Sequence, residues 1–327
     1  MKLAAVSRVL NESDIIEAFV RHTAHFVDHH IFVDNGSVDG TLRILEQLKD
    51  EGFGITVFQS NARSFVESKI NTFLYQTAVT SLQADWVLFL DADEFIDDRE
   101  LNQPLRDGIA SFASRHGGPA CMQVPLREYH ITPQDPREGV VASRITHCSP
   151  TSDNMKVVVR RDLIQRQAVI QPGNHAVLID NAMLCPAFRE PTLTYAHFAT
   201  RSPYQWLSKS IIGWAKVLAA GQETISAGNS YHYKGPFEIL RTDPKAILCD
   251  PRMMQTPTTP AELMHSPITY RGGPLKYTAD TDYPMRAVQV MMQYLHELAS
   301  QHGEMLVLAT RLSGLIGRSE SGVARIL

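Results

Sequence analysis

The feature that most constrains this chain is an apolar run followed directly by acidic residues. Residues 86–90 are five consecutive apolar side chains, WVLFL, followed at once by Asp91, Asp93 and Glu94. An unbroken apolar run of this length is typical of a strand covered on both faces. Carboxylates crowded at its end repel one another unless a cation, a basic partner or protonation relieves them. The pattern predicts a buried strand of an α/β sheet with a charged site at its carboxyl end.

Two interpretations of the acidic segment stay open on the residues alone. In an extended segment Asp91 and Asp93 point the same way and Ala92 the other, so two carboxylates can meet one hard cation. The alternative is a solvated acidic turn that caps a helix beginning near Arg99. The buried run just before the carboxylates favours the cation site.

The first 100 residues alternate between strand and helix patterns. We expect strands at 3–10, 31–33, 55–58 and 86–90, with helices at 15–27, 42–52 and 66–82 between them. This alternation is typical of a doubly wound, mainly parallel sheet whose loops collect on one edge. The predicted fold class is α/β, a mainly parallel mixed sheet flanked by helices.

Polar side chains follow the first two predicted strands. Asn11 comes after the first, and Asp34, Asn35 and Asp39 come after the second. Such residues also stabilise tight turns, so a purely structural loop is the alternative interpretation. Because these loops and the acidic segment converge on one sheet edge, a ligand-binding role is favoured for each. Lys69 lies near the start of the third helix.

The pattern weakens after residue 126. We expect strands at 120–126, 155–160 and 193–198, a long loop at 127–154, and a helix that opens at Ser202-Pro203 and stops at Gly221. Residues 222–284 look irregular, and helices follow at 285–301 and through 315. We therefore expect a domain at 1–221 and an irregular, helical extension at 222–327 packed on it.

Composition excludes several functional classes. With 31 basic and 35 acidic residues the formal net charge is −4, and no basic run predicts binding to nucleic acid. No apolar stretch approaches the roughly 18 residues of a membrane span, and the N-terminus does not resemble a signal peptide. The four cysteines are far apart and show no C-x-x-C spacing, which predicts reduced thiols in a cytoplasmic protein.

The order of motifs resembles that of a known enzyme family. The matching segments are RVLNESDIIEAFVRH at 8–22, HIFVDNGSVDGT at 30–41, DWVLFLDADEF at 85–95, MKVVVRR at 155–161, GNH at 173–175 and AHFATRSPYQWLSKSIIGWAK at 196–216. Together they resemble the family-2 type of glycosyltransferase with the GT-A fold, and more narrowly its bacterial branch related to the family-92 enzymes. DADEF after an apolar strand is the most specific piece, and residues 222–327 match nothing.

The resemblance implies transfer of a sugar from a nucleotide diphosphate sugar to a glycan, lipid-linked or protein acceptor. It implies Mn²⁺ or Mg²⁺ as the cofactor, bridging the diphosphate and the carboxylates Asp91 and Asp93, with His197 as third ligand. Such a cation neutralises the leaving diphosphate. The remaining implied contacts are nucleotide-side residues Asn11, Asp34, Asn35, Asp39, Lys69 and Asp91, and diphosphate-side residues Arg201 and Lys209. Asn35 replaces the commoner aspartate, so the base stays unassigned.

Family-2 transferases invert the anomeric carbon, which requires a carboxylate base on the acceptor hydroxyl. The usual Glu-Asp pair is missing here. Asp153 is the preferred candidate and Glu128 the second, with a turn role as the alternative for Asp153.

Other functions and partners stay open at this point. A nucleotidyltransferase shares the sheet, carboxylates and cation, but usually carries a glycine-rich basic loop that RVLNES lacks. A non-catalytic carbohydrate-binding protein of the same fold is the second alternative. Peripheral membrane association and a homo-oligomer also stay open.

Overall fold

The computed structural model describes residues 1–327 apart from 61–66, 119, 133, 137, 151–153, 181, 227, 229, 244–261, 279–283 and 317–327. Its first part alternates strand and helix as the sequence predicts. The elements are β1 (Leu3–Val9), α1 (Ile16–Thr23), β2 (His29–Asp34), α2 (Thr41–Asp50), β3 (Ile55–Gln59), α3 (Glu67–Thr80) and β4 (Trp86–Phe89). The four strands are parallel and lie in the order β3-β2-β1-β4.

The rest of the chain widens this sheet and covers one end of it. The strands are β5 (Glu94–Asp97), β6 (Cys121–His130), β7 (His147–Cys148), β8 (Met155–Arg160), β9 (Val169–Ile170), β10 (Val177–Ile179), β11 (Met183–Leu184), β12 (Ala187–Arg189), β13 (Thr194–His197) and β14 (Met264–His265). The helices are α4 (Leu105–Arg115), α5 (Val141–Arg144), α6 (Pro203–Ala219), α7 (Gln222–Ser226), α8 (Lys234–Thr242) and α9 (Pro284–Ile316), with 3-10 turns at Arg161–Arg166, Pro172–Asn174 and Tyr231–Tyr233. β8 lies between β4 and β6 and is antiparallel to both. The predicted mixed, mainly parallel sheet flanked by helices is confirmed.

Two apolar cores lie on opposite faces of the sheet. Leu3 and Ala5 face the core built with α1, α2 and α4, whereas Ala4 and Val6 face the core built with α3. All four side chains are at most 1% exposed. A strand segment buried on both faces needs apolar residues at every position, which is why residues 3–6 form an unbroken apolar run.

Three expectations about the later chain are wrong. Residues 127–154 are not one long loop, because β6 continues to His130 and α5 and β7 follow. Arg127 and Glu128 broke the apolar pattern there, yet their backbone pairs with β13. Residues 222–284 are not irregular throughout, since they contain α7, α8 and β14. The break expected after residue 301 is absent, because α9 continues through Gly303 at a cost of about 1 kcal/mol for the glycine.

The chain after α8 returns to the first core. The buried Glu17 carboxylate accepts hydrogen bonds from the backbone N–H groups of Lys276, Tyr277 and Thr278, at 2.7–2.8 Å, and from the Nε of Arg21 at 2.9 Å. Elsewhere α9 packs on α6. Division of the chain at residue 221 stays a prediction. In the described part of the chain, no helix has both the length and the apolar content to cross a membrane.

His22 links α1 to β5 and to the returning segment. Its Nε2 lies 2.8 Å from the carbonyl oxygen of Ile96, and the N–H of Arg271 donates to its Nδ1 at 3.2 Å. These partners require a proton on Nε2 and none on Nδ1, so the ring is held neutral. Burial of the ring lowers the pKa of His22 to about 4.

We expect the free energy of unfolding to fall as the pH drops from 7 to 5, in part because of His22. Between pH 6.5 and about 4 the unfolded chain binds a proton at His22 that the folded chain excludes. Between pH 7 and pH 5 that difference removes about 2 kcal/mol of stability. Urea unfolding at the two pH values measures it. On acidification the His22→Gln variant should lose less stability than the wild type, by about the same amount. If its stability depends on pH as that of the wild type does, the assignment to His22 is contradicted.

Candidate active site

Strand pairing brings three distant acid-base side chains into one row. After β4 the chain turns through Asp91–Asp93 into β5, which pairs antiparallel with β13 so that Glu94 lies opposite His197. β13 in turn pairs parallel with β6 and sets His197 beside Glu128. Because directly paired residues lie on the same face of a sheet, Glu94, His197 and Glu128 are neighbours at the carboxyl end of β4.

Three hydrogen bonds that involve backbone groups hold the acidic turn in place. The Glu94 N–H donates to the Asp91 carbonyl at 2.9 Å, and the Asp91 N–H donates to Glu94 Oε2 at 3.0 Å. The Phe198 N–H donates to the Asp93 carbonyl at 2.8 Å, which joins the turn to the end of β13. The turn therefore has a defined geometry before any ligand arrives.

A buried lysine neutralises the first part of the turn. Lys156 on β8 has a side chain only 3% exposed, and its Nζ lies 2.6 Å from Asp91 Oδ2 and 3.1 Å from Glu94 Oε1. Burial alone would raise the pKa of Asp91, but the Lys156 ammonium holds it below its ordinary value. For Glu94 burial prevails over Lys156, and the nearby Asp91 adds to it, so the pKa of Glu94 is raised.

Asp93 faces three cationic side chains. Its Oδ2 lies 2.5 Å from Lys209 Nζ and 3.4 Å from Arg201 Nη1, and its Oδ1 lies 3.6 Å from His197 Nε2. Its side chain is 4% exposed. Burial would raise the pKa of Asp93, but Lys209, His197 and Arg201 together hold it well below the ordinary range. These partners therefore favour the ionised form of Asp93.

Glu128 fixes the orientation of His197. Glu128 Oε2 accepts a hydrogen bond from His197 Nδ1 at 2.7 Å, which leaves Nε2 directed at Asp93. Burial would lower the pKa of His197, but the carboxylates of Glu128 and Asp93 prevail and raise it to about 9. The pKa of Glu128 is lowered, because His197 outweighs burial.

Arg201 ties the beginning of the chain to this site. Its side chain is 1% exposed, with Nε 2.6 Å from Asp14 Oδ2 and Nη2 2.5 Å from Glu12 Oε2. The next residue, Ser202, caps α6 by accepting the N–H of Gln205 at 3.1 Å, as its sequence predicts. The guanidinium is thus enclosed by protein carboxylates, and its expected contact with a diphosphate stays a prediction. Burial raises the pKa of Glu12 to about 7, with Arg201 and Lys209 opposing.

The loops after β1 and β2 use their polar side chains mainly to hold each other. Asn11 Oδ1 accepts the N–H of Val38 at 2.8 Å, and Asp34 Oδ2 accepts the N–H groups of Gly36 and Ser37 at 3.0 Å. Asp39 Oδ1 accepts the N–H of Thr41 at 2.9 Å and thereby starts α2.

The remaining nucleotide-side candidates differ in their exposure to solvent. Asp34 and Asn35 are at most 1% exposed, whereas Lys69 is exposed on α3. The structure thus brings Asn11, Asp34 and Asp39 together at the expected sheet edge, in contacts that a structural loop also requires. Asp153 lies outside the described residues.

The cation site predicted at Asp91, Asp93 and His197 can be tested against this geometry. Nowhere in the described residues do three or more His, Cys, Asp or Glu side chains stand close enough to hold a metal ion together. Asp91 Oδ2 is bound to Lys156, but Asp93 Oδ1 and His197 Nε2 face each other across 3.6 Å. An oxygen and an imidazole nitrogen at this separation fit two ligands of one ion, provided that His197 gives up its proton and a substrate phosphate completes the shell.

Three important side chains escaped the sequence analysis. Lys156 left a readable signal, since a lysine that starts the apolar run KVVV must find a buried counter-charge. Glu12 and Asp14 lie at an ordinary helix start, where acidic residues are common for local reasons. Their role depends on Arg201, which is 187 residues from Asp14 in the chain.

One family model matches a segment of the chain. Residues 6–106, which run from β1 into α4 and include the acidic turn, match the family model described as glycosyl transferase family 2. No curated protein matches the chain.

Several solved structures also align with the chain. A mannosyltransferase from Pyrobaculum calidifontis, in complex with GDP-Man and Mn²⁺, is 13% identical, with 92% of this chain and 86% of that chain covered and a TM-score of 0.37. Glucosyl-3-phosphoglycerate synthase from Mycobacterium tuberculosis, in complex with Mn²⁺, UDP-glucose and phosphoglyceric acid, is 17% identical, with 51% and 59% covered and a TM-score of 0.29. The chain also spans only 56% of a mycobacterial protein that is 14% identical and has a TM-score of 0.29, with 51% of this chain covered.

We expect Arg201→Met to lower the free energy of unfolding by about 3–5 kcal/mol, because it leaves the Asp14, Glu12 and Asp93 carboxylates without their shared buried partner. Urea denaturation at neutral pH measures the change. The matched control is Arg166→Met, whose ion pair with Asp180 is partly exposed and should matter little. Equal stabilities of the two variants would show that Arg201 does not hold the site together.

Proposed function

We propose that the chain is a cation-dependent glycosyltransferase that moves a sugar from a nucleotide diphosphate sugar to an acceptor hydroxyl. The observation that carries the proposal is the meeting of Asp93 and His197 across 3.6 Å at the carboxyl end of β4, with Lys209 on the same carboxylate. The match of residues 6–106 to the glycosyl transferase family 2 model supports it independently. The narrower relationship to the family-92 branch stays a prediction.

Asp93 and His197 would hold the divalent cation, with Asp91 as the third candidate ligand. When bound, Mn²⁺ or Mg²⁺ would neutralise charge on the diphosphate as the glycosidic bond breaks. Glu128 supports this assignment, because a carboxylate on Nδ1 keeps the other ring nitrogen of a metal-binding histidine aimed at the ion. Lys156 keeps Asp91 ionised and therefore able to act as an oxygen ligand.

Lys209 is the better candidate for the diphosphate. Its side chain is 27% exposed, whereas that of Arg201 is 1% exposed and lies between Glu12 and Asp14. A flexible lysine can leave Asp93 for a phosphate oxygen when a cation takes its place on the carboxylate. Arg201 then acts as a positioning residue that fixes the start of α6.

The loops after β1 and β2 would form the nucleoside side of the donor site. Asn11 Nδ2 is buried and has no hydrogen-bond acceptor among the described residues, so it could serve the donor. Asp34 and Asp39 would act through the loop backbone that they hold. Asn35 and Lys69 stay candidates, and the base of the nucleotide stays unassigned.

Inversion at the anomeric carbon requires a base that removes the proton of the acceptor hydroxyl. Glu128 is within reach of the cluster, but its Oε2 is engaged with His197 Nδ1. This contact favours orientation of His197 as the role of Glu128. Asp153 remains the candidate base.

Asp93→Asn should raise the dissociation constant of a nucleoside diphosphate about 100-fold or more in the presence of Mn²⁺ or Mg²⁺. The variant keeps the side-chain shape and removes the charge that the cation would meet. Calorimetry with nucleoside di- and monophosphates, with and without chelator, measures the effect. Asp107→Asn, an exposed carboxylate on α4, is the control and should bind as the wild type does.

The proposal predicts that the wild type prefers the diphosphate and loses this preference when the cation is removed. Equal affinity for both nucleotides, insensitive to chelator, would contradict it. Wild-type binding and sugar transfer by Asp93→Asn would reduce the acidic segment to a structural turn.

Glu128→Ala distinguishes an orienting carboxylate from a base. An orienting role predicts a cation affinity about 10–100-fold weaker with turnover restored at saturating cation. A base predicts unchanged cation affinity and turnover lower by about 10²–10⁴-fold. We expect the first result. Cation titrations by calorimetry and initial rates at saturating cation measure both quantities, with Glu138→Ala on the exposed part of the following loop as the control.

A further inference from the structure

A turn from the C-terminal part of the chain lies beside the cluster at Asp93. After α7, Ser230 has a φ of 54°, which lies in the left-handed region. The 3-10 turn Tyr231–Tyr233 follows and leads into α8, and both pack on α6. This turn belongs to the part of the chain for which the sequence matched no motif.

The Tyr233 ring anchors the turn by packing against α6 at Gly213, where the helix has no side chain. A Cβ atom added to Gly213 would lie 2.4 Å from Cδ2 of Tyr233, so only glycine lets this ring contact the backbone of α6. Gly213 is four residues after Lys209 and therefore lies on the same face of the helix. The Tyr233 ring is thus adjacent to the lysine whose Nζ lies 2.5 Å from Asp93.

The charges around Tyr233 agree with this placement. Burial raises the pKa of the Tyr233 hydroxyl, the Lys209 ammonium opposes the rise, and the carboxylates of Asp93 and Glu12 add to it. These are the same charged groups that surround the candidate cation site. The turn therefore borders the place where the sugar would be transferred.

The turn presents aromatic and polar groups to solvent. Tyr231 is 67% exposed, and the exposed His232 ring lies 4.0 Å from the Tyr233 ring, centroid to centroid. Lys234 Nζ lies 5.9 Å from the Tyr231 ring centroid and 6.0 Å from that of Trp214. Tyr231 is thus an exposed aromatic ring two residues before Tyr233, whose ring contacts the helix that carries Lys209, and it is available to a ligand bound there.

We propose that the segment Tyr231–Lys234 binds a saccharide acceptor for the proposed transfer. The electron-rich face of the Tyr231 ring would receive the C–H groups of one face of a pyranose ring, which carry partial positive charge. His232 and Lys234 would hydrogen-bond the hydroxyls at the rim of that sugar. The inference rests on the proposed function, because it assigns the acceptor class to the same site.

Saturation-transfer NMR tests the surface with the full chain, Mg²⁺ and a nucleoside diphosphate. The probes are the methyl glycosides of glucose, mannose and galactose. In the wild type we expect saturation of the ring C–H protons of at least one probe. Tyr231→Ala should reduce this signal at least about threefold, whereas Tyr231→Phe, which keeps the ring, should retain most of it. Phe188→Ala on β12 is the matched control, because Phe188 is also an exposed aromatic residue, at 42%.

The outcomes separate this inference from the proposed function. Absence of cation-dependent nucleoside diphosphate binding in the wild type overturns the proposed function and the inference with it. Nucleotide binding without saturation of any probe overturns the inference alone. The inference alone is also overturned if Tyr231→Ala gives the wild-type saturation signal, or if Phe188→Ala reduces that signal as much as Tyr231→Ala does. Tyr231 is exposed, so its replacement should leave the fold intact, which circular dichroism checks.

Discussion

The structure depends on compensating one buried charge. Asp93 lies in the turn that follows β4, a strand buried along its whole length, and the Asp93 side chain is 4% exposed. An ionised carboxylate there is very unfavourable unless partners replace the lost water. Lys209, Arg201 and His197 supply that compensation. All three belong to one segment of the chain, which begins at His197, 104 residues after Asp93. Docking of β13 and α6 against the sheet is therefore inseparable from stabilisation of the site.

The same ion pairs set a condition for the proposed function. Each carboxylate of the acidic turn already has a cationic partner from the protein, so under the proposed function a divalent ion would have to replace a basic side chain. Lys209 is the residue that can move, because its side chain is partly exposed, and a diphosphate would offer it a new partner. Arg201 and Lys156 are buried and hold their carboxylates in place. Two buried basic side chains and one partly exposed lysine are the arrangement that the proposed binding of a diphosphate together with a metal requires.

The loops at the sheet edge show that structural and ligand-binding interpretations of a motif are compatible. Asp34 and Asp39 satisfy backbone N–H groups and so determine the path between β2 and α2. Asn11 accepts the N–H of Val38 and so joins this path to the end of β1. Its buried Nδ2 has no hydrogen-bond partner among the described residues. Such residues shape a pocket through the backbone, and a smaller number of side-chain atoms is left for a ligand.

Local sequence determined the framework of this protein. Apolar runs, caps and glycines predicted β1 to β4, the intervening helices and the Ser202-Pro203 start of α6, because those signals act over a few residues. The acidic turn was visible for the same reason. The tertiary structure alone decided which charges meet: Lys156 with Asp91, Glu128 with His197, and Arg201 with Glu12 and Asp14. These pairs join residues 65 to 189 positions apart, and no local pattern records them because strand pairing and helix docking create their geometry.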